Sequence, residues 1–196
     1  VDADTLVLML ENTDKSTLLR LARESIAHGL AHGTALSVSP ETYSEVLTKN
    51  GASFVTLHYN KQLRGCIGSL SAYRPLVSDV VQNAFNAAFR DPRFTPLRPD
   101  ELESVHIHIE VLNPTQLLSF ESEKELIAML RPGIDGLVLR EGNQAGTFLP
   151  SVWSSLPEPE IFLQQLKRKA GLPANYWSGS ITVERYTTEA FEEAEQ

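Results

Sequence analysis

Residues 52–59 and 62–69 read as two strands with only Asn60-Lys61 between them, and a connection that short joins antiparallel neighbours. A second hairpin is expected from the runs 136–140 and 147–149 around a polar tip at 141–146. Helical spacing surrounds these pairs. Leu18, Leu21, Ala22, Ile26 and Leu30 recur from an N-cap at Thr13 or Asp14 as far as Gly33. Pro75 opens a helix whose wide apolar stripe, from Leu76 to Phe89, stops before Asp91-Pro92 and should be buried. Val105, Ile107, Ile109 and Val111 alternate with His106, His108 and Glu110 as a strand with one apolar and one polar face. A short helix at 122–130, a helix at 157–170 closed by Gly171, and a last strand at 181–186 before an acidic tail complete the order. Strands and helices do not alternate as they do in a parallel doubly wound sheet. The expected class is α+β, a mainly antiparallel sheet flanked by helices, in a single domain over residues 1–196.

Composition closes off several functions. A single Cys forms no internal disulfide and builds neither a Cys-based zinc site nor an iron–sulfur cluster. Seventeen basic against 25 acidic residues give a net charge of −8, which opposes nucleic acid and anionic membranes. No run reaches the roughly 20 apolar residues of a membrane-spanning helix. The start, Val1-Asp2-Ala3-Asp4, has no basic leader ahead of its short apolar run, so the expected location is the cytoplasm. The phosphate-binding G-x-x-x-x-G-K-[ST], the dinucleotide G-x-G-x-x-G, H-E-x-x-H and G-x-S-x-G are absent, and no cofactor or metal is expected.

The least ordinary stretch is Leu63-Arg64-Gly65-Cys66-Ile67-Gly68-Ser69. Glycine weakens a strand, so two of them around a Cys imply close approach of a ligand or of another chain segment. Arg64 shares a strand face with Cys66, where a guanidinium would lower the thiol pKa or hold an anionic group. The plainer reading makes Cys66 a small buried hydrophobe and the glycines a bulge. An odd number of loop residues sorts the hairpin cleanly: His58, Thr56, Arg64 and Cys66 on one face, and Val55, Leu57, Tyr59, Leu63 and Ile67 on the other. In that register His58 lies beyond hydrogen-bond reach of Cys66, and a base would have to come from His106 or His108, which otherwise read as solvated surface. Arg90 and Arg93 follow the apolar helix, either as helix-end cations or, on the functional reading, as completion of an anion pocket. Lys167-Arg168-Lys169 reads as last-turn dipole and cap chemistry.

With Asp91-Pro92-Arg93-Phe94, Gly133-Ile134-Asp135-Gly136-Leu137, Thr147-Phe148-Leu149-Pro150 with Trp153, and Leu166-Lys167-Arg168-Lys169-Ala170-Gly171-Leu172 in this order, the chain resembles the AMMECR domain family, and within it the prokaryotic AmmeMemoRadiSam system proteins. The resemblance implies a larger and a smaller sublobe with a cleft between them, and association with Memo-type and radical SAM proteins. It places the family motif on Arg64, Gly65, Cys66, Ile67 and Gly68, with Arg93 and Phe94 second. Lys61 departs from the glycine that similar sequences carry in the hairpin turn. Two functions follow as expectations. One is a cleft for a small anionic organic ligand, with Cys66 as nucleophile or thiol acid/base and Arg64, Gly65, Ile67, Gly68 and Arg93 around the ligand. The other is a non-catalytic module that docks a partner through the Arg64 to Gly68 face.

Overall fold

The computed structural model describes residues 9–194. Along the chain lie α1 (Asn12–His32), α2 (Glu45–Thr48), β1 (Asn50–Tyr59), β2 (Gln62–Gly68), β3 (Arg74–Pro75), α3 (Leu76–Phe89), β4 (Val105–Leu112), β5 (Gln116–Leu117), α4 (Glu123–Met129), β6 (Gly136–Glu141), β7 (Gln144–Phe148), α5 (Pro159–Lys169), β8 (Thr182–Tyr186) and β9 (Thr188–Glu192). The described residues form two compact units, one of residues 9–112 with 189–194, the other of Asn113–Thr188. The class is α+β with antiparallel sheets.

The first unit has a sheet in the order β2-β1-β4-β9, with β3 paired to the start of β1. Period-two alternation sends Val55 and Leu57 of β1 and Val105, Ile107, Ile109 and Val111 of β4 to one face. There they share a core with Leu18, Leu21, Ala22 and Ile26 of α1 and with the apolar stripe of α3. Each fully buried aliphatic side chain contributes about 1.5–3 kcal/mol, so this face fixes the register. The helix α1 begins earlier than its sequence suggested. The Glu11 N–H donates to the Asp14 carboxylate at 3.1 Å, which makes Asp14 the partner of the cap and not the cap itself. Gly33 ends the helix at φ 73° with its N–H on the Gly29 carbonyl.

Thr188–Glu192, at the start of the acidic tail, form a strand. In β9, Phe191 packs on the core, and the residues of the same parity reach α1: Glu189 pairs with Lys15 at 2.7 Å, and Glu193 takes both arms of Arg23 at 2.7 and 2.6 Å. One aromatic at the right parity outweighs an acidic composition.

The second unit has a sheet in the order β5-β8-β6-β7. Its core joins Leu137 and Leu139 of β6, Val183 of β8, Leu126 of α4 and Phe162, Leu163 and Leu166 of α5, with Trp153 stacked on Phe162 at 3.7 Å. The β6–β7 tip is tighter than the sequence suggested, a turn at Gly142-Asn143 with Gly142 at φ 55°. Lys167 also departs from expectation. It is fully buried, its ammonium bonded to Glu123 and to the Ala174 carbonyl, while Arg168 and Lys169 stay exposed. Among the described residues no helix is long and apolar enough to cross a membrane.

Candidate functional site

The site begins at a turn that strains the backbone. Asn60 and Lys61 sit at φ 51° and 62°, the pair of left-handed residues that closes a two-residue hairpin. Asn tolerates this; Lys does so at a cost of about 1–2 kcal/mol in steric strain. Lys61→Gly is expected to raise the unfolding free energy by roughly 0.5–1 kcal/mol after the extra freedom of the unfolded glycine is subtracted. A urea midpoint that stays put or falls would show the turn to be unstrained.

A two-residue loop is even, yet Thr56 faces Cys66 directly, as the odd register required. The shift comes from a bulge. His58 pairs with Leu63 and Leu57 with Gly65, so Arg64 has no residue opposite it. Ahead of the bulge the parity is reversed, which turns Leu63 to the His58 side and leaves it 41% exposed, outside the apolar face expected for it.

The bulge also re-aims Arg64. Its guanidinium grips the Glu101 carboxylate at 2.8 and 3.0 Å and donates to the Thr95 carbonyl at 2.9 Å. It is spent on holding the 95–101 segment, and it does not act on the thiol. Glu101 is accordingly held below the usual carboxylate range, chiefly by Arg64. Glycine at 65 and 68 is accounted for by the chain itself. A Cβ on Gly65 would stand 2.1 Å from the Ala87 carbonyl oxygen, and one on Gly68 would stand 2.3 Å from the Phe54 ring. Ile67 packs against the core of the first unit.

Cys66 is half-buried, and its polar contacts run to named partners. The Thr56 hydroxyl donates to Sγ at 3.2 Å, the Cys66 N–H donates to Asp91 at 2.9 Å, and Arg93 donates to the Cys66 carbonyl at 3.2 Å. Burial pushes the thiol up from its ordinary value; Thr56 and Arg93 pull it down, while Glu110 and Asp91 push it further up. Burial prevails.

The Asp91-Pro92-Arg93-Phe94 turn is the other half of this arrangement. Arg93 binds Asp91 through both arms at 2.9 and 2.7 Å, and the buried Asp91 carboxyl lies well below the usual range, Arg93 being the main cause. Because β2 ends the sheet, Cys66 offers an outward N–H and C=O. The carboxylate and guanidinium satisfy them as a further strand would, which shields an exposed edge. Arg93 keeps 55% of its side chain exposed, whereas Arg90 lies over the Phe85 ring at 5.1 Å and does not join it.

The three histidines lie on the polar face. His106 stands opposite His58, and His108 opposite Thr56, one strand beyond Cys66. A depression of about 570 Å³ near the hairpin tip is lined by His58, Lys61, His106 and Glu192, among others. Among the described residues no group of three or more His, Cys, Asp or Glu side chains is placed to hold a metal ion. Sequence reading missed Glu101 and Glu192 because each meets its partner only through tertiary structure. The capping signal of Glu101, three residues after Arg98, was the one local trace of either.

Comparison places this arrangement among known proteins. The AMMECR1 family model matches residues 19–191. The chain is 37% identical to protein MK0488 of Methanopyrus kandleri, over 91% of this chain and 87% of that one. It is 34% identical to protein MJ0810 of Methanocaldococcus jannaschii, over 90% and 89%. The crystal structure of the uncharacterized protein PH0010 from Pyrococcus horikoshii is similar at a TM-score of 0.81 and 32% identity, covering 90% of each chain. With the Arg64 to Gly68 strand and the Asp91–Arg93 clasp inside the matched span, the chain belongs to the AMMECR1 family.

Proposed function

We propose that this protein is a non-catalytic binding module that presents the clasped strand β2, with the exposed guanidinium of Arg93, to a protein partner. The observation that carries the reading is the state of Cys66: a half-buried thiol raised by burial and hydrogen-bonded to a threonine, with no base bonded to it among the described residues. A nucleophilic Cys wants the opposite, a lowered pKa and an adjacent base. Neither arginine is a free anion receptor, since Arg64 is paired with Glu101 and Arg93 with Asp91. The edge is closed to an added strand, so docking uses side chains. The family resemblance supplies the first candidate, a Memo-type protein, with a radical SAM protein as the second.

Two measurements test this. Alkylation of Cys66 by iodoacetamide should run at least several-fold slower near pH 8 than alkylation of a free thiol, with its inflection displaced upward. Capture of a purified Memo-type protein should survive Cys66→Ser and weaken with Arg93→Ala, folding being checked by circular dichroism. A fast thiol that a small organic anion protects would instead favour the ligand-binding, thiol-dependent reading. So would loss of an in vivo phenotype in Cys66→Ser with partner capture intact.

A further inference from the structure

The polar face of the first unit carries a cluster that the β2 clasp does not use. Glu192 of β9 lies 3.3 Å from His106 Nε2 and 3.6 Å from His108 Nδ1, and Glu110 lies 3.6 Å from His108 Nε2. We propose that His108, held between Glu192 and Glu110, is a proton-operated fastener for strand β9, tight while the His108 ring is charged and slack once it is neutral.

The ring nitrogens of His108 carry the argument. Each faces a carboxylate, and only the doubly protonated ring can donate from both. A neutral ring turns one lone pair toward a carboxylate oxygen, so losing the proton converts an attraction into a repulsion. Consistent with this, His108 is raised from its ordinary value, by Glu110 first and then Glu192, against the effect of burial. Glu192 is lowered, by His106 first and with His108 adding. His58, opposite His106, is lowered, by burial first and then by the charge of His108 and His106. Lys61 and Glu103 line the adjacent depression, and on the helix side Lys15 holds Glu189 and Arg23 holds Glu193. Those two pairs anchor the strand without an imidazole, whereas the Glu192 contacts run to imidazoles.

The signs fix the window. The His108 contribution is complete below the ordinary imidazole pKa and is lost as pH rises through its raised folded value. The Glu192 contribution is complete above the ordinary carboxylate pKa and is lost as pH falls through its lowered folded value. The fastener is closed between these limits, at mildly acidic pH.

Amide hydrogen exchange of residues 188–193 in the full chain, corrected for intrinsic rates, tests it at about pH 5.5 and about pH 8. Protection should be roughly three- to tenfold greater at the lower pH, the range for one partly exposed cation between two carboxylates. Glu192→Gln should abolish the difference and His108→Gln should reduce it, while protection at Val55 and Leu57 stays level. A flat profile in the wild-type chain, or a pH difference that persists in Glu192→Gln, would overturn the proposal.

Discussion

Asp79→Ala is expected to lower the unfolding free energy by about 3–5 kcal/mol, the cost of stranding buried donors and a cation that shared one carboxylate. The Asp79 side chain is fully buried in the first turn of α3. It accepts from the Ser53 N–H at 2.8 Å, the Ser53 hydroxyl at 2.7 Å, the Asn83 amide at 2.9 Å and Arg74 Nε at 2.8 Å. A longer bond, 3.3 Å, comes from the Ser69 hydroxyl at the end of β2. One carboxylate thus ties β1, β2 and β3 to α3. Arg74, with 23% of its side chain exposed, can turn to water when Asp79 is lost, but Ser53 and Asn83 cannot, both being buried. Asp79→Asn should cost nearly as much, because its NH₂ would face donors on most sides. In urea, the midpoint should fall by roughly 2 M at unchanged slope. A loss under 1 kcal/mol in both variants would mean that water replaces the carboxylate, and that this knot does not hold β1 and β2 in place.

The fold was legible where burial is periodic. The alternation from Val105 to Val111 and the stripe of α3 each state in sequence which side faces the core, and both faces are found there. Three features were not legible, for separate reasons. The bulge at Arg64 depends on the loop length and the Leu57–Gly65 pairing together, and parity alone cannot tell an odd loop from an even loop with one extra residue. β9 is hidden by charge: Glu189 and Glu193 look solvated until Lys15 and Arg23, more than 150 residues away in the chain, are brought to them. The candidate site was legible in identity but not in chemistry. Gly65 and Gly68 were singled out because glycine weakens a strand, Arg64 because it was expected on the face of Cys66, and Arg93 because it follows the apolar helix; the structure supplies Ala87, Phe54, Glu101 and Asp91 as their partners. A residue that breaks a local rule marks a constraint, and the sequence does not say whether the constraint comes from a ligand or from the chain.

Lys167 obeys its local rule in sequence and is buried all the same, and its pair with Glu123 should respond unequally to the two halves of its removal. The Lys167 side chain is 0% exposed and that of Glu123 is 34% exposed. Glu123→Ala strands a buried ammonium whose remaining partners are the Ala174 carbonyl at 3.3 Å and the Trp177 ring at 5.6 Å. That loss is expected to be about 3–5 kcal/mol, since desolvation of the cation is no longer offset. Lys167→Met keeps most of the volume, and the freed carboxylate can rotate into water, so about 1–2 kcal/mol is expected. Lys167→Ala adds a cavity beside Trp177 and should fall nearer the glutamate variant. The midpoints of urea unfolding, followed by tryptophan fluorescence, order the three. Equal losses for Glu123→Ala and Lys167→Met would place the stabilisation in the attraction of the pair; the expected inequality places it in the burial of the cation, which obliges α4 to stay docked on α5.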